Sequence, residues 1–85
     1  MNQNDSTLAD LKPGQSGAVT ELRSHGPERR RMMDLGIVPG TIIAAEMSSP
    51  MGDPVAYRVR GALVALRRGQ ANLILIQPVS DEVTQ

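Results

Sequence analysis

Apolar and polar residues alternate in short bursts along this chain, and Gly or Pro interrupts them every few positions. Residues 8–11 (Leu-Ala-Asp-Leu) form a brief apolar lead-in. Lys12-Pro13-Gly14-Gln15 predicts a turn, because Pro presets the first corner and Gly is free to take positive φ. Residues 17–22 (Gly-Ala-Val-Thr-Glu-Leu) predict a first strand, although their alternation is imperfect. Gly26-Pro27-Glu28 opens a helix that runs to Leu35. Pro27 suits the first helical position, where its missing N–H costs nothing, and Gly36 suits the left-handed position after the last turn. Pro39-Gly40 signals a type II turn. Residues 41–47 predict a strand with Ile43, Ala45 and Met47 on one face, and 48–53 a hairpin loop. Val55, Tyr57 and Val59 then alternate with Ala56, Arg58 and Arg60, the clearest period of two in the chain. Residues 62–66 follow as another strand, 67–72 as a tight turn or a single helical turn. Residues 73–76 (Leu-Ile-Leu-Ile) are apolar on both faces, as a central or barrel-closing strand is. Five short strands and one short helix in about 70 residues favour a small all-β barrel or sandwich over parallel βαβ units.

The helix is too short to be stable alone and must dock by an apolar face. Met32, Leu35 and one flank of Met33 supply that face. Glu28 with Arg31, and Arg30 with Asp34, are spaced for surface pairs worth a few tenths of a kcal/mol. Met47 falls on the core side of its strand. Met51, between Pro50 and Gly52, falls at an exposed hairpin tip, where a flexible thioether makes an adaptable contact.

Charge refines this picture. The 85 residues carry nine bases and nine acids, a formal net charge of zero. Residues 1–22 hold −2, residues 23–68 hold +4 and residues 69–85 hold −2, so the middle is basic and the ends acidic. Eight of the nine bases are Arg, suited to bidentate contacts with carboxylate or phosphate. The chemistry on offer is sparse: one His, no Cys, no Trp, no Phe and one Tyr. That leaves little with which to build acid–base or nucleophilic catalysis, so no catalytic residue is assigned. His25 beside Gly26 reads as a turn residue. Borderline divalent metal ions favour His with carboxylate, and no such cluster occurs, so neither a metal site nor a cofactor is expected. Zero net charge, with the lone Tyr57 on a buried face, argues against a nucleic-acid groove. No apolar run nears the ~20 residues of a membrane span, and the polar N-terminus lacks the parts of a secretory signal. A cytoplasmic protein is expected.

The order Leu11-x-Pro13-Gly14, then Gly26-x-x-x-x-Arg31-Met32-x-Asp34-Leu35-Gly36-Ile37-x-Pro39-Gly40-Thr41, then Pro50-x-Gly52-Asp53-Pro54, then Leu66-Arg67-Arg68-x-x-Ala71, resembles the FeoA (ferrous iron transport protein A) family. Residues 31–40 are the most specific piece. The resemblance covers the domain, 8–78, and leaves an N-terminal tail, 1–7, expected to be disordered, and an acidic C-terminal tail, 79–85. It implies an SH3-like β-barrel of five to six short strands, with the helix inserted after the first. It further implies a non-enzymatic accessory of ferrous iron uptake that binds and modulates the cytosolic region of FeoB, a membrane permease with a nucleotide-binding G domain. Contact with the membrane would then be indirect, through the transporter. An alternative is a stand-alone regulatory module acting on a metal-dependent transcription regulator, since a similar domain ends some such repressors. Isolated barrels of this kind can also pair with a second copy, so weak homo-oligomers are allowed for.

Residues 34–40 explain themselves as helix stop, core anchor and turn, and they also form a ridge that could meet a partner through Leu35, Ile37 and Pro39. Arg29 and Arg30 are candidates for an acidic partner surface. Met51 is a candidate at its hairpin tip. Arg58 and Arg60, on the outward side of one strand with Arg67 and Arg68 nearby, complete the candidate contact residues.

Overall fold

A computed structural model of the chain describes residues 6–79. Its elements are β1 (Ser6–Thr7), a 3₁₀ turn (Leu8–Asp10), β2 (Ser16–Leu22), α1 (Gly26–Asp34), β3 (Ile42–Ser48), β4 (Val55–Val59), β5 (Ala62–Leu66), α2 (Arg68–Ala71) and β6 (Ile74–Val79). All strand pairs are antiparallel, in the order β1-β6-β2-β3-β4-β5. This is the small all-β architecture with one short inserted helix that the strand spacing predicts.

One strand was not foreseen. Ser6 and Thr7, assigned to a disordered tail, pair with Ile76 and Leu75. The pairing uses backbone groups alone, so two polar side chains leave no hydrophobic signature. The helix therefore follows the second strand. β6 also runs through Val79, one residue beyond the expected boundary. The rest of both expected tails, 1–5 and 80–85, lies outside the described residues.

One hydrophobic cluster gathers Leu8, Val19, Met32, Ile37, Ile43, Tyr57, Leu66 and Ile74, among others, from the strands, α1 and the 3₁₀ turn. Fully burying a side chain of this size is worth about 1.5–3 kcal/mol. The three consecutive residues Ile74, Leu75 and Ile76 are all buried, so both faces of β6 are covered along this stretch. Gly17 is where β2 makes room for that strand: a Cβ there would meet the Ile76 side chain, at Cδ1 and, at 3.2 Å, at Cβ.

Two bulges explain where simple alternation fails. The β2–β6 register shifts between Val19 and Glu21, so Val19 and Leu22 both reach the core although they are three apart. The β3–β4 register shifts between Ala45 and Met47. Ile43 and Ala45 therefore point inward, while Met47, expected in the core, is 60% exposed. Met33 is also outside, leaving Met32 as the helix's buried anchor and Leu35 half-buried against the core.

Tyr57 is buried, and its hydroxyl donates to the Leu8 carbonyl at 3.3 Å. Burial raises the phenol above its ordinary pKa of 10.0; Arg68 pulls it down and Asp53 pushes it up, each by less.

Candidate functional site

α1 ends in a Schellman motif. Gly36 N–H donates to Met33 O at 2.9 Å, Ile37 N–H donates to Met32 O at 3.0 Å, and Gly36 takes φ +93°. This motif joins the residue after the glycine to the third residue from the helix end, and both Met32 and Ile37 are fully enclosed. Ile37, expected on a partner-facing ridge, is thus 0% exposed and belongs to the core. The spacing Met-x-x-x-Gly-Ile carries that signal in the sequence.

The chain then makes the type II turn that Pro39-Gly40 predicts. Thr41 N–H donates to Val38 O at 3.0 Å and Gly40 has φ +97°. Gly40 N–H donates to Val19 O, Val19 N–H donates to Thr41 O, and the Thr41 hydroxyl donates to Gly36 O. Leu35 and Pro39 therefore sit on a pinned loop, Pro39 exposed and Leu35 partly so.

Arg60 joins this loop by an unexpected route. It does not continue β4. Arg60 at φ +51° and Gly61 at φ +87° form the two-residue hairpin turn to β5, the pair of positive φ angles that matches strand twist. Its side chain lies over Gly36: a Cβ on Gly36 would stand 2.6 Å from Arg60 Cδ. Gly36 thus supplies a left-handed helix stop and a floor for the arginine.

Arg58 remains on the outward face of β4, where its Nε donates to Glu46 at 3.0 Å and its Nη1 to Gly61 O at 3.4 Å. Arg29 is tied back, its Nη1 donating to Leu22 O at 3.0 Å. Arg30 is exposed and has no ion-pair partner among the described residues. The expected pairs Glu28–Arg31 and Arg30–Asp34 do not form. Glu28 instead accepts from Gln70 Nε2 at 2.9 Å, linking α1 to α2. Met51 is 89% exposed at the tip of a turn closed by Gly52 N–H on Ser49 O.

These residues are not one site. Arg58, Arg60, Leu35 and Pro39 border the β4–β5 turn and the helix stop. Met51 lies beyond the other end of β4, five residues or about 16 Å away at strand rise. What the sequence did not disclose is an apolar outer face across three strands. Ala44, Arg58 and Leu63 lie in one row, Met47, Ala56 and Ala65 in the next, and Leu63 and Met47 are both more than half exposed. Ile42 adds to it on β3. Arg58 lies within this face, paired with Glu46, while Arg60 precedes β5 and Arg67 and Arg68 follow it, with Asp53 accepting from the Arg68 N–H. Such a surface can hold an acidic, partly apolar partner. Among the described residues, no three His, Asp or Glu side chains converge to hold a metal ion, and no helix is long and apolar enough to cross a membrane.

Comparison with known proteins agrees in fold and sequence. A FeoA protein from Chlorobium tepidum is 35% identical, with a TM-score of 0.84 over 91% of this chain and 74% of that one. A Stenotrophomonas maltophilia FeoA complexed with zinc, a prokaryotic SH3 domain protein, is 25% identical, with a TM-score of 0.76 over 85% of this chain and 89% of that one. A Porphyromonas gingivalis Fe(2+) transport protein A/Fe(2+) transporter FeoB fusion protein is 31% identical over 91% of this chain, which spans only 9% of the fusion's length. The FeoA domain model matches residues 6–78. With its SH3-like sheet, its inserted helix and a match over almost its whole length, this chain belongs to the FeoA domain family of ferrous iron transport.

Proposed function

We propose that this domain is a cytoplasmic, non-enzymatic accessory of ferrous iron uptake that docks on the cytosolic region of a FeoB-type transporter and modulates it by contact alone. The carrying observation is the Porphyromonas gingivalis fusion, in which a segment similar to this chain shares one polypeptide with the transporter. A segment fused to its target acts at a high effective concentration, and a separate chain needs an adhesive surface to reach the same place. The apolar outer face, with Arg58 within it and Arg60 at the β4–β5 turn, is such a surface. Exposed charges of this kind raise association rate and set partner choice more than they add affinity.

The test is capture of the purified domain by the FeoB cytosolic region from the same organism, and by the full-length transporter, each with and without a GTP analogue. Capture is expected. Reversing Arg58 and Arg60 to Glu should weaken it about tenfold, with a matching loss of salt dependence. Failure of both transporter forms to retain the wild-type domain would sink the proposal, and unchanged affinity in the double variant would remove the arginine face from it.

A further inference from the structure

β5 is bonded on one side only, to β4. The two-residue Arg60-Gly61 turn makes Val59 and Ala62 a hydrogen-bonded pair, and alternation extends this to Tyr57 with Val64 and Val55 with Leu66. The N–H and C=O groups of Leu63 and Ala65 therefore point to the open edge. No turn or loop hydrogen bond reaches them among the described residues.

Native sheets blunt such edges with charge, proline, bulges or brevity. The opposite edge, β1, contributes Ser6 and Thr7 among the described residues, both polar. β5 has none of these guards: its sequence is Ala-Leu-Val-Ala-Leu, and its pairing with β4 is unbroken over five residues. The side chains of Leu63 and Ala65 are exposed and continuous with Ala56 and Met47 on the outer face. The strand's ends are basic, with Arg60 before it and Arg67 and Arg68 after it.

We infer that the β5 edge accepts an extended segment of a partner protein as an added strand, apolar at its centre and acidic at both ends. Backbone pairing at Leu63 and Ala65 supplies binding, and the flanking arginines select the segment. A second copy of this chain fits badly. Two β5 strands paired antiparallel about Val64 bring the basic entry of each, at the Arg60 turn, to the basic exit of the other, at Arg67 and Arg68, a like-charge approach at both ends. The inference rests on the docking role proposed above only in taking the partner to be a protein.

The probe is a synthetic peptide, Glu-Asp-Val-Thr-Val-Ile-Val-Asp-Glu, added to the intact chain and followed by amide hydrogen exchange. Leu63 and Ala65 amides should slow at least about tenfold, since they gain partners, while Val64 changes little. N-methylating alternate amides on the peptide edge facing β5 should abolish the effect, and methylating the other edge should leave it. Arg60→Glu with Arg67→Glu should weaken binding about tenfold. Ala65→Pro, tolerated where an N–H faces outward on an edge, should block the peptide while the circular dichroism spectrum is kept. Equal binding of both methylated peptides, protection elsewhere, or self-association through β5 in place of peptide binding would each overturn the inference. FeoB capture by wild type and Ala65→Pro alike, with no peptide protection, also overturns it and leaves the docking role standing. Peptide protection without FeoB capture supports the edge and sinks that role.

Discussion

β5 and the first half of β6 are spelled with the same few residues, Ala, Leu, Val and Ile, and each run is apolar at every position. In β6, Ile74, Leu75 and Ile76 are all buried, and β1 and β2 pair on either side, so neither its faces nor its edges are open. In β5, Leu66 is buried and Val64 partly so, while Leu63 is 53% exposed and one backbone edge is open. The difference lies in the neighbours. A doubly apolar strand is at home in the sheet's interior, and at its margin the same composition leaves a surface to be covered by something else.

Ile74→Ala should show the largest effect. Ile74 is 0% exposed, and truncating such a residue costs about 2–5 kcal/mol. Against a total stability of about 5–15 kcal/mol, urea denaturation should find a substantial fraction of it gone. A change under 1 kcal/mol would break the contrast from the β6 side.

Gly36→Ala comes next. It forces a Cβ into positive φ and against the Arg60 stem that steadies the turn into β5. The left-handed conformation alone costs about 1–2 kcal/mol. A denaturation midpoint equal to wild type would detach Arg60 from the helix stop.

Tyr57→Phe should cost about 0.5–1.5 kcal/mol by leaving the Leu8 carbonyl without its donor. It should also alter the response to base. The folded state holds the phenol proton more tightly than the unfolded chain does. Stability from this source is full below about pH 10 and falls as pH rises beyond it, and the Phe variant should lose that fall. Urea midpoints across the alkaline range give the comparison, and parallel curves would refute it.

Leu63→Ala should do least, within about 0.5 kcal/mol, because its side chain already meets solvent on the outer face. A loss comparable to that at Ile74 would mean that β5 is covered after all.

Five of the six strands, the helix, the Gly36 stop and the type II turn were legible because each rests on local chemistry written in a few adjacent residues. The misassigned positions depend on pairing. Met47 follows Ile43 and Ala45 in perfect alternation, and only the β3–β4 bulge turns it out. Ser6 and Thr7 form a strand through backbone groups that every residue has. Arg60 continues the alternation of β4 by sequence, yet its backbone is spent on a turn that Asn or Gly more often makes. Ile37 was readable in principle from its place after Gly36, but its apolar character on an apparent ridge pointed outward. Arg58 and Arg60, with Arg67 and Arg68 nearby, were readable as a basic group, while the apolar face beside them was not, since Leu63 and Ile42 look like core residues until the sheet order is known.

Tyr57 carries one more consequence, and it is optical. With no Trp or Phe in the chain, ultraviolet emission arises from a single phenol ring. That ring stands opposite Val64, in the hairpin whose far strand is open. An added strand would lie two strand spacings away, about 10 Å. A tryptophan carried there would quench Tyr57 by energy transfer, so the domain brings its own fluorescent reporter of docking at β5.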